Sequence, residues 1–150
     1  MKKIALFPGT FDPFTRGHED IAIRGSKIFD ELIIGLGHNT KKKRFFEADL
    51  MLDKINDHFK DYPNVKAMMY EGLTAHVARD IGANFLLRGL RNTTDFEYEN
   101  SIAQANKHVY DGLETVFIYT SPEYAYISST IIRDLYQYQQ DVSEFVPFSL

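Results

Sequence analysis

The sequence predicts an α/β protein built on a doubly wound, five-stranded parallel sheet, folded as a single domain over residues 1–150. Two observations carry that prediction. Short apolar runs alternate five times with segments of helical periodicity, the pattern of a parallel sheet covered by helices on both faces. Nothing divides the chain: it has no repeats and no Pro- or Gly-rich linkers, and 150 residues at 44% hydrophobic content suffice for one core.

Residues 3–7 are an apolar run ended by Pro8-Gly9 and read as a buried strand. Across residues 17–29, Ile21 with Ile28, and Ala22 with Phe29, recur at the seven-residue spacing of one helix face. Residues 31–36, with Ile33 and Ile34, form the second strand, and a polar, basic loop spans 37–44. Residues 47–59 are helical, with Leu50, Met51, Ile55, His58 and Phe59 on one side. The third strand is 65–70, followed by a short helix over 74–81 stopped by Gly82. The fourth strand is 85–87. Residues 95–109 are helical, with Phe96, Ile102, Ala103 and Asn106 on one stripe. The fifth strand is 115–119, and the last helix runs over 128–136 with Ser128 or Ser129 as N-cap. In a Rossmann-like strand order, 3-2-1-4-5, strands one and four flank the switch point, where ligands bind beyond the strands' carboxyl ends. The loops there are residues 8–17 and 88–92.

Composition narrows the function. The absence of Cys rules out a disulfide framework, thiolate metal sites and a Cys nucleophile. A net charge of −4 argues against nucleic-acid binding. No apolar run is long enough to span a membrane, and the stretch behind Met1-Lys2-Lys3 is too short for a signal peptide, so the expected location is the cytoplasm. Lys41, Lys42, Lys43, Arg44, Arg88 and Arg91 hold six of the 17 basic residues, and the rest of the chain carries 11 basic against 21 acidic. An acidic body with two compact basic spots suits a small anionic ligand.

The familiar phosphate loops are missing. There is no Walker-type G-x-x-x-x-G-K-[ST], and Gly35-Leu36-Gly37 lacks the third glycine of a dinucleotide fingerprint. Four other segments are candidates. In residues 8–18, Gly9 permits close backbone approach, Thr10 offers a hydroxyl, and His18 falls in the first turn of a helix, where free N–H groups favour an anion. Arg88-Gly89-Leu90-Arg91, just past strand four, offers two guanidiniums for separate phosphates. The run from Lys41 to Arg44 reads by itself as a solvated loop. Ser128, Ser129 and Thr130 place three hydroxyls at a helix start. His38, His58, His76 and His108 show no metal-ligand spacing, Asp49 and Asp53 read as solvated, and no Ser/His/Asp arrangement has nucleophile-elbow spacing.

Taken together, G-T-F-D-P at 9–13, T-x-G-H at 15–18, R-G-L-R at 88–91 and I-S-S-T-x-I-R at 127–133 resemble the nucleotidylyltransferase superfamily. With D-F-E-Y-E at 95–99, they look specifically like its bacterial phosphopantetheine adenylyltransferase family, over nearly the whole chain. The resemblance implies that ATP and 4′-phosphopantetheine give dephospho-coenzyme A and pyrophosphate, with Mg²⁺ bound with ATP and no assigned protein metal ligand. It implies that Thr10, Lys42 and Arg88 hold the acceptor phosphate and that His18 stabilises the transition state. Phe11, Gly89, Leu90, Arg91 and Glu99 would line the ATP site beside Thr10 and His18. Tyr124, Ala125, Tyr126, Ile127, Ser128, Ser129 and Thr130 would hold adenine and the outer phosphates. Leu73, Thr74 and Asn106 would line the pantetheine arm, and the assembly would be a homohexamer. The alternatives are another small-molecule nucleotidylyltransferase, which is not expected to combine R-G-L-R with D-F-E-Y-E, and a non-catalytic nucleotide or coenzyme A sensor. A phosphate monoester is largely dianionic at neutral pH, with a second pKa of about 6, so such an acceptor needs no general base.

Overall fold

Alternate residues of each strand point to opposite faces, and the chain supplies helices to cover both. The computed structural model describes residues 1–150. Its strands are β1 (Ile4–Gly9), β2 (Glu31–Gly37), β3 (Val65–Tyr70), β4 (Phe85–Leu90) and β5 (Glu114–Tyr119). Its helices are α1 (Arg16–Ser26), α2 (Ala48–His58), α3 (Thr74–Asp80), α4 (Thr93–Val109) and α5 (Ser129–Gln137), with a 3₁₀ turn over Pro122–Tyr124. The strands are all parallel, in the order β3-β2-β1-β4-β5 expected from the sequence. On one face Ala5, Phe7, Leu32, Ile34 and Leu36 pack with Ile21 and Ala22 of α1 and Met51 and Ile55 of α2. The intervening Leu6 and Ile33, with Leu86, pack on Ala75 and Ala78 of α3. This is the two-sided burial that a parallel sheet requires. A smaller cluster of Ile127, Ile132, Val142 and Val146 fastens α5 to the C-terminal segment.

The sheet opens where the site will be. β1 and β2 are in register over six pairs, from Ile4↔Glu31 to Gly9↔Leu36. β1 and β4 pair only at Ala5↔Phe85 and Leu6↔Leu86, then part. That parting lets β1 continue through Pro8 and Gly9, two residues beyond the strand end that the sequence predicts. The Pro8 carbonyl faces β4 and accepts a hydrogen bond from Arg88 Nη1, so the missing N–H breaks no β1–β2 bond.

Other boundaries differ for physical reasons. Arg88, Gly89 and Leu90 lie within β4 rather than past it, paired with Phe117, Ile118 and Tyr119 of β5. Helix α1 ends at Ser26, leaving Ile28 49% exposed while Phe29 is buried. Leu50 points outward from α2, whose buried face is Ala48, Met51 and Ile55. Helix α4 begins at Thr93, and Asn92 caps it by accepting from the Asp95 N–H at 2.9 Å. It buries Glu99 and Asn106 while Phe96 and Ile102 are exposed, because its inner face meets the polar opening between β1 and β4. Two glycines set how closely α1 rides on β4. A Cβ at Gly25 would stand 2.5 Å from Leu87 Cδ2, and one at Gly89 would stand 2.9 Å from Ile21 Cγ1.

Candidate active site

A cavity of about 310 Å³ opens at the carboxyl edge where β1 and β4 separate. The turn leaving β1, the start of α1, the end of β4, Asp95 and Glu99 of α4, and the start of α5 line it. The turn is held by the basic loop after β2 and by α5. The Asp12 carboxylate accepts from the Phe45 and Phe46 N–H groups at 2.9 and 2.8 Å. Arg133 Nη1 donates to the Asp12 carbonyl at 2.8 Å, and the Ser129 hydroxyl donates to the Pro13 carbonyl at 2.8 Å.

His18 is placed by helix capping. Thr15 is the N-cap of α1; its hydroxyl accepts from the His18 N–H at 3.2 Å, and His18 Nδ1 accepts from the Thr15 N–H at 3.0 Å. Histidine thus fills the place that Glu or Gln occupies in a capping box. A backbone N–H can only donate, so Nδ1 is an acceptor and the neutral ring carries its proton on Nε2. The ring packs among Phe11, Phe14 and Phe7, with centroids 4.9, 5.5 and 6.3 Å away. Burial, then the charges of Arg88 and Arg91, push its pKa down to about 3. At neutral pH His18 is an uncharged donor lining the cavity.

Of the three arginines that line that cavity, Arg88 and Arg91 are each steadied by a carboxylate. Arg88 donates through Nε and Nη2 to Glu99 at 2.9 and 2.5 Å, and through Nη1 to Pro8. Arg91 donates through Nε and Nη2 to Asp95 at 3.0 and 3.2 Å, and through Nη1 to the Ile127 carbonyl at 3.4 Å. A guanidinium has five N–H groups, so each keeps two for a ligand. Burial raises the Asp95 carboxyl, but the side-chain bond, backbone bond and charge of Arg91 outweigh it and hold the group below its ordinary range. The start of α5 adds donors unequally. The Ser128 hydroxyl caps the helix by accepting from the Ile131 N–H at 3.2 Å, and Thr130 Oγ1 accepts from Arg133 at 3.3 Å, which leaves both hydroxyl protons free. The Ser129 hydroxyl proton is already given to Pro13.

Two further spaces adjoin. A cavity of about 200 Å³ is lined by Gly9, Thr10, Tyr70, Thr74, Arg88, Ala103 and Asn106, among others, with Tyr70 Oη and Thr74 Oγ1 3.0 Å apart. An outer cleft of about 1270 Å³ is bordered by the basic loop, including Lys42. Thr10 borders all three spaces and Arg88 the first two.

Most of the expected residues therefore converge. Thr10, Phe11, His18, Gly89, Arg91, Glu99, Tyr124, Ile127, Ser128, Ser129 and Thr130 line the first cavity. Leu90 is buried, and it, Ala125 and the 62% exposed Tyr126 lie outside its lining. Leu73 is half exposed and borders neither inner cavity. Sequence reasoning passed over Asp12, Asp95, Thr120 and Arg133, all of which line the first cavity. Three of them fall inside the quoted motifs, which was the available signal; Thr120 carried none. No group of three or more His, Asp or Glu side chains is arranged to hold a metal ion. No helix is long and apolar enough to cross a membrane.

A cytidylyltransferase-like family model matches residues 6–135. A phosphopantetheine adenylyltransferase of Cytophaga hutchinsonii is 56% identical over 150 residues, covering all of both chains. One from Lachnoclostridium phytofermentans is 46% identical over 148 residues, covering 99% of this chain and 91% of the other. Among solved structures, a putative nicotinate-nucleotide adenylyltransferase from Vibrio parahaemolyticus superposes with a TM-score of 0.71 over 99% of this chain and 95% of the other; at 20% identity it shares the fold. With full-length identity of this order, the chain belongs to the phosphopantetheine adenylyltransferase family.

Proposed function

We propose that this protein transfers the adenylyl group of ATP to the phosphate of 4′-phosphopantetheine, giving dephospho-coenzyme A and pyrophosphate. The observation that carries this reading is the meeting of an uncharged His18 donor with Arg88 and Arg91 in one cavity, joined through Thr10 and Arg88 to a second. An oxygen of the acceptor phosphate attacks the α-phosphorus of ATP. The new P–O bond forms as the α–β bridging P–O bond breaks, and its electron pair leaves on pyrophosphate. The acceptor is already ionised near neutral pH, so no residue need remove a proton.

The protein's task is to hold two anions in line and stabilise the charge that develops between them. His18 Nε2–H donates to an α-phosphate oxygen as that charge grows, and remains neutral throughout. Arg91, Ser128 and Thr130 take the outer phosphates; Tyr124 and Ile127 border the nucleoside. Arg88, Thr10 and Lys42 take the acceptor phosphate, and Thr74 and Asn106 border the pantetheine arm. Mg²⁺ bound with ATP would offset phosphate charge, in keeping with its preference for phosphate oxygens and water over a protein cage. The carboxylates of Asp95 and Glu99 are taken by arginines, which fits a metal held by the nucleotide. The assembly is a homohexamer in the cytoplasm. Its support is the exposed Tyr98, Ile102 and Val109 on one side of α4, apolar side chains that suit burial between copies. Incubation with ATP, Mg²⁺ and 4′-phosphopantetheine should yield a species with the mass of dephospho-coenzyme A. Binding of both ligands without that product would favour the sensor.

A further inference from the structure

Arg44 is the one cation of the basic loop that is not exposed, and the proposed reaction leaves it without a role. Lys41, Lys42 and Lys43 are exposed, but the Arg44 side chain is only 9% exposed. It is spent on backbone carbonyls. Nη1 donates to Thr10 at 2.5 Å, Nη2 to Phe11 at 2.9 Å and Nε to Phe46 at 3.0 Å. The Asp12 carboxylate stands 3.7 Å from Nη2 and itself accepts from the N–H groups of Phe45 and Phe46. These contacts join two turns 33 or 34 residues apart in the sequence. At the join Phe11 has φ +48°, a left-handed conformation that a non-glycine residue keeps only when its surroundings impose it. On the far side, Phe45 and Phe46 pack edge-on against Tyr136 of α5 at 5.9 and 5.1 Å.

The geometry points to Arg44 as a positioning residue that locks the basic loop after β2 to the Thr10–Asp12 turn after β1, so that Lys42 and Thr10 meet one acceptor phosphate as a unit. This rests on the function proposed above. Lys42 is two residues from Arg44 and borders the outer cleft with Thr10, which also borders both inner cavities. A planar guanidinium aims separate nitrogens at three carbonyls in fixed directions, whereas a lysine brings its three N–H donors to a single point on a flexible stem. Misplacement of a reacting group by about 1 Å can cost on the order of 100-fold in rate. Loosening this join therefore harms the acceptor's aim before it harms ATP binding.

The test compares wild type, Arg44→Met, Arg44→Lys and each combined with Lys42→Ala, by kinetics in both substrates and by amide hydrogen exchange. Arg44→Met should speed exchange of the Phe45 and Phe46 amides at least about tenfold, leaving β1 to β5 protected. It should raise the acceptor KM and lower kcat, each about tenfold, with the ATP KM within about threefold. Arg44→Lys should recover part of both effects. In the Lys42→Ala background the Arg44→Met penalty on acceptor KM should shrink below about threefold, because the same contact is already lost. A role confined to stability would instead give additive penalties shared by both substrates. Additive acceptor effects, or unchanged exchange at Phe45 and Phe46, would overturn the proposal; should Arg44→Met not fold, Arg44→Lys decides by the same readouts. A wild type that makes no dephospho-coenzyme A would defeat the proposed function instead, and exchange would still report whether Arg44 joins the loops.

Discussion

Replacing His18 by glutamine separates its two jobs. Its Nδ1 receives the Thr15 N–H at 3.0 Å and completes the cap of α1, while its Nε2–H is left for a ligand. Alanine would remove both, and stranding the Thr15 N–H would cost about 1–3 kcal/mol. Glutamine is a standard third residue of the capping box, so its carbonyl can take the Thr15 N–H and keep the helix start. The Nε2–H that ring packing fixes among Phe7, Phe11 and Phe14 is then replaced by a flexible amide donor that no ring packing aims at the cavity. Losing one preorganised donor to developing oxyanion charge costs about 10²–10³ in kcat, or about 2.7–4 kcal/mol. His18→Gln should therefore melt within a few degrees of wild type and bind ATP nearly as well, yet release pyrophosphate about 10²–10³-fold more slowly in a coupled assay at saturating substrates. A kcat within threefold of wild type would refute the donor role, and an equal loss in ATP affinity would show a ground-state contact instead.

The remaining expectations concern pH, ion pairing and packing. Burial holds His18 down at about 3 in the folded protein against the ordinary 6.5 of the unfolded chain, so between these values the unfolded chain binds the extra proton and stability falls as pH drops. From pH 7 to pH 5, wild type should lose about 2 kcal/mol more than His18→Gln in urea denaturation; parallel curves would contradict the burial. Arg88→Met leaves the 6% exposed Glu99 carboxylate without its partner and should cost about 3 kcal/mol, much of it recovered in Arg88→Met/Glu99→Leu. No recovery in the double variant would mean that the lost arginine contacts, not the stranded charge, set the cost. Gly89→Ala drives a Cβ to 2.9 Å from Ile21, so thermal melts should show a loss of about 1–3 kcal/mol, and unchanged stability would mean that α1 yields freely.

The parts of this molecule legible in the sequence are those whose causes are local. Residues 65–70 form β3 with the expected ends, and His18 falls in the first turn of its helix because Thr15, three residues earlier, caps it. What escaped depends on partners far along the chain. Arg88-Gly89-Leu90 reads as a turn, yet it pairs with β5, and its polar end is satisfied by Glu99 and Pro8. Glu99 and Asn106 fall on the buried side of α4 although Phe96 and Ile102 suggested an apolar stripe, because that side faces the opened sheet. Arg44 looks like the fourth member of a solvated run, and carbonyls 33 and 34 residues away bury it. The hydroxyls at the start of α5 are visible in the sequence, but that Ser129 gives its proton to Pro13, 116 residues away, is not.

The central claim is that this crevice moves the α-phosphate of ATP onto an acceptor phosphate. ATP labelled at its α-phosphorus, mixed with a slight excess of the protein, Mg²⁺ and 4′-phosphopantetheine, tests that directly. The label should pass into dephospho-coenzyme A one-for-one with unlabelled pyrophosphate. Pantetheine without its phosphate should leave the label in ATP, since it lacks both the anionic handle and the ionised oxygen. Label released as AMP, label retained in ATP while both ligands are bound, or equal transfer to unphosphorylated pantetheine would contradict the account.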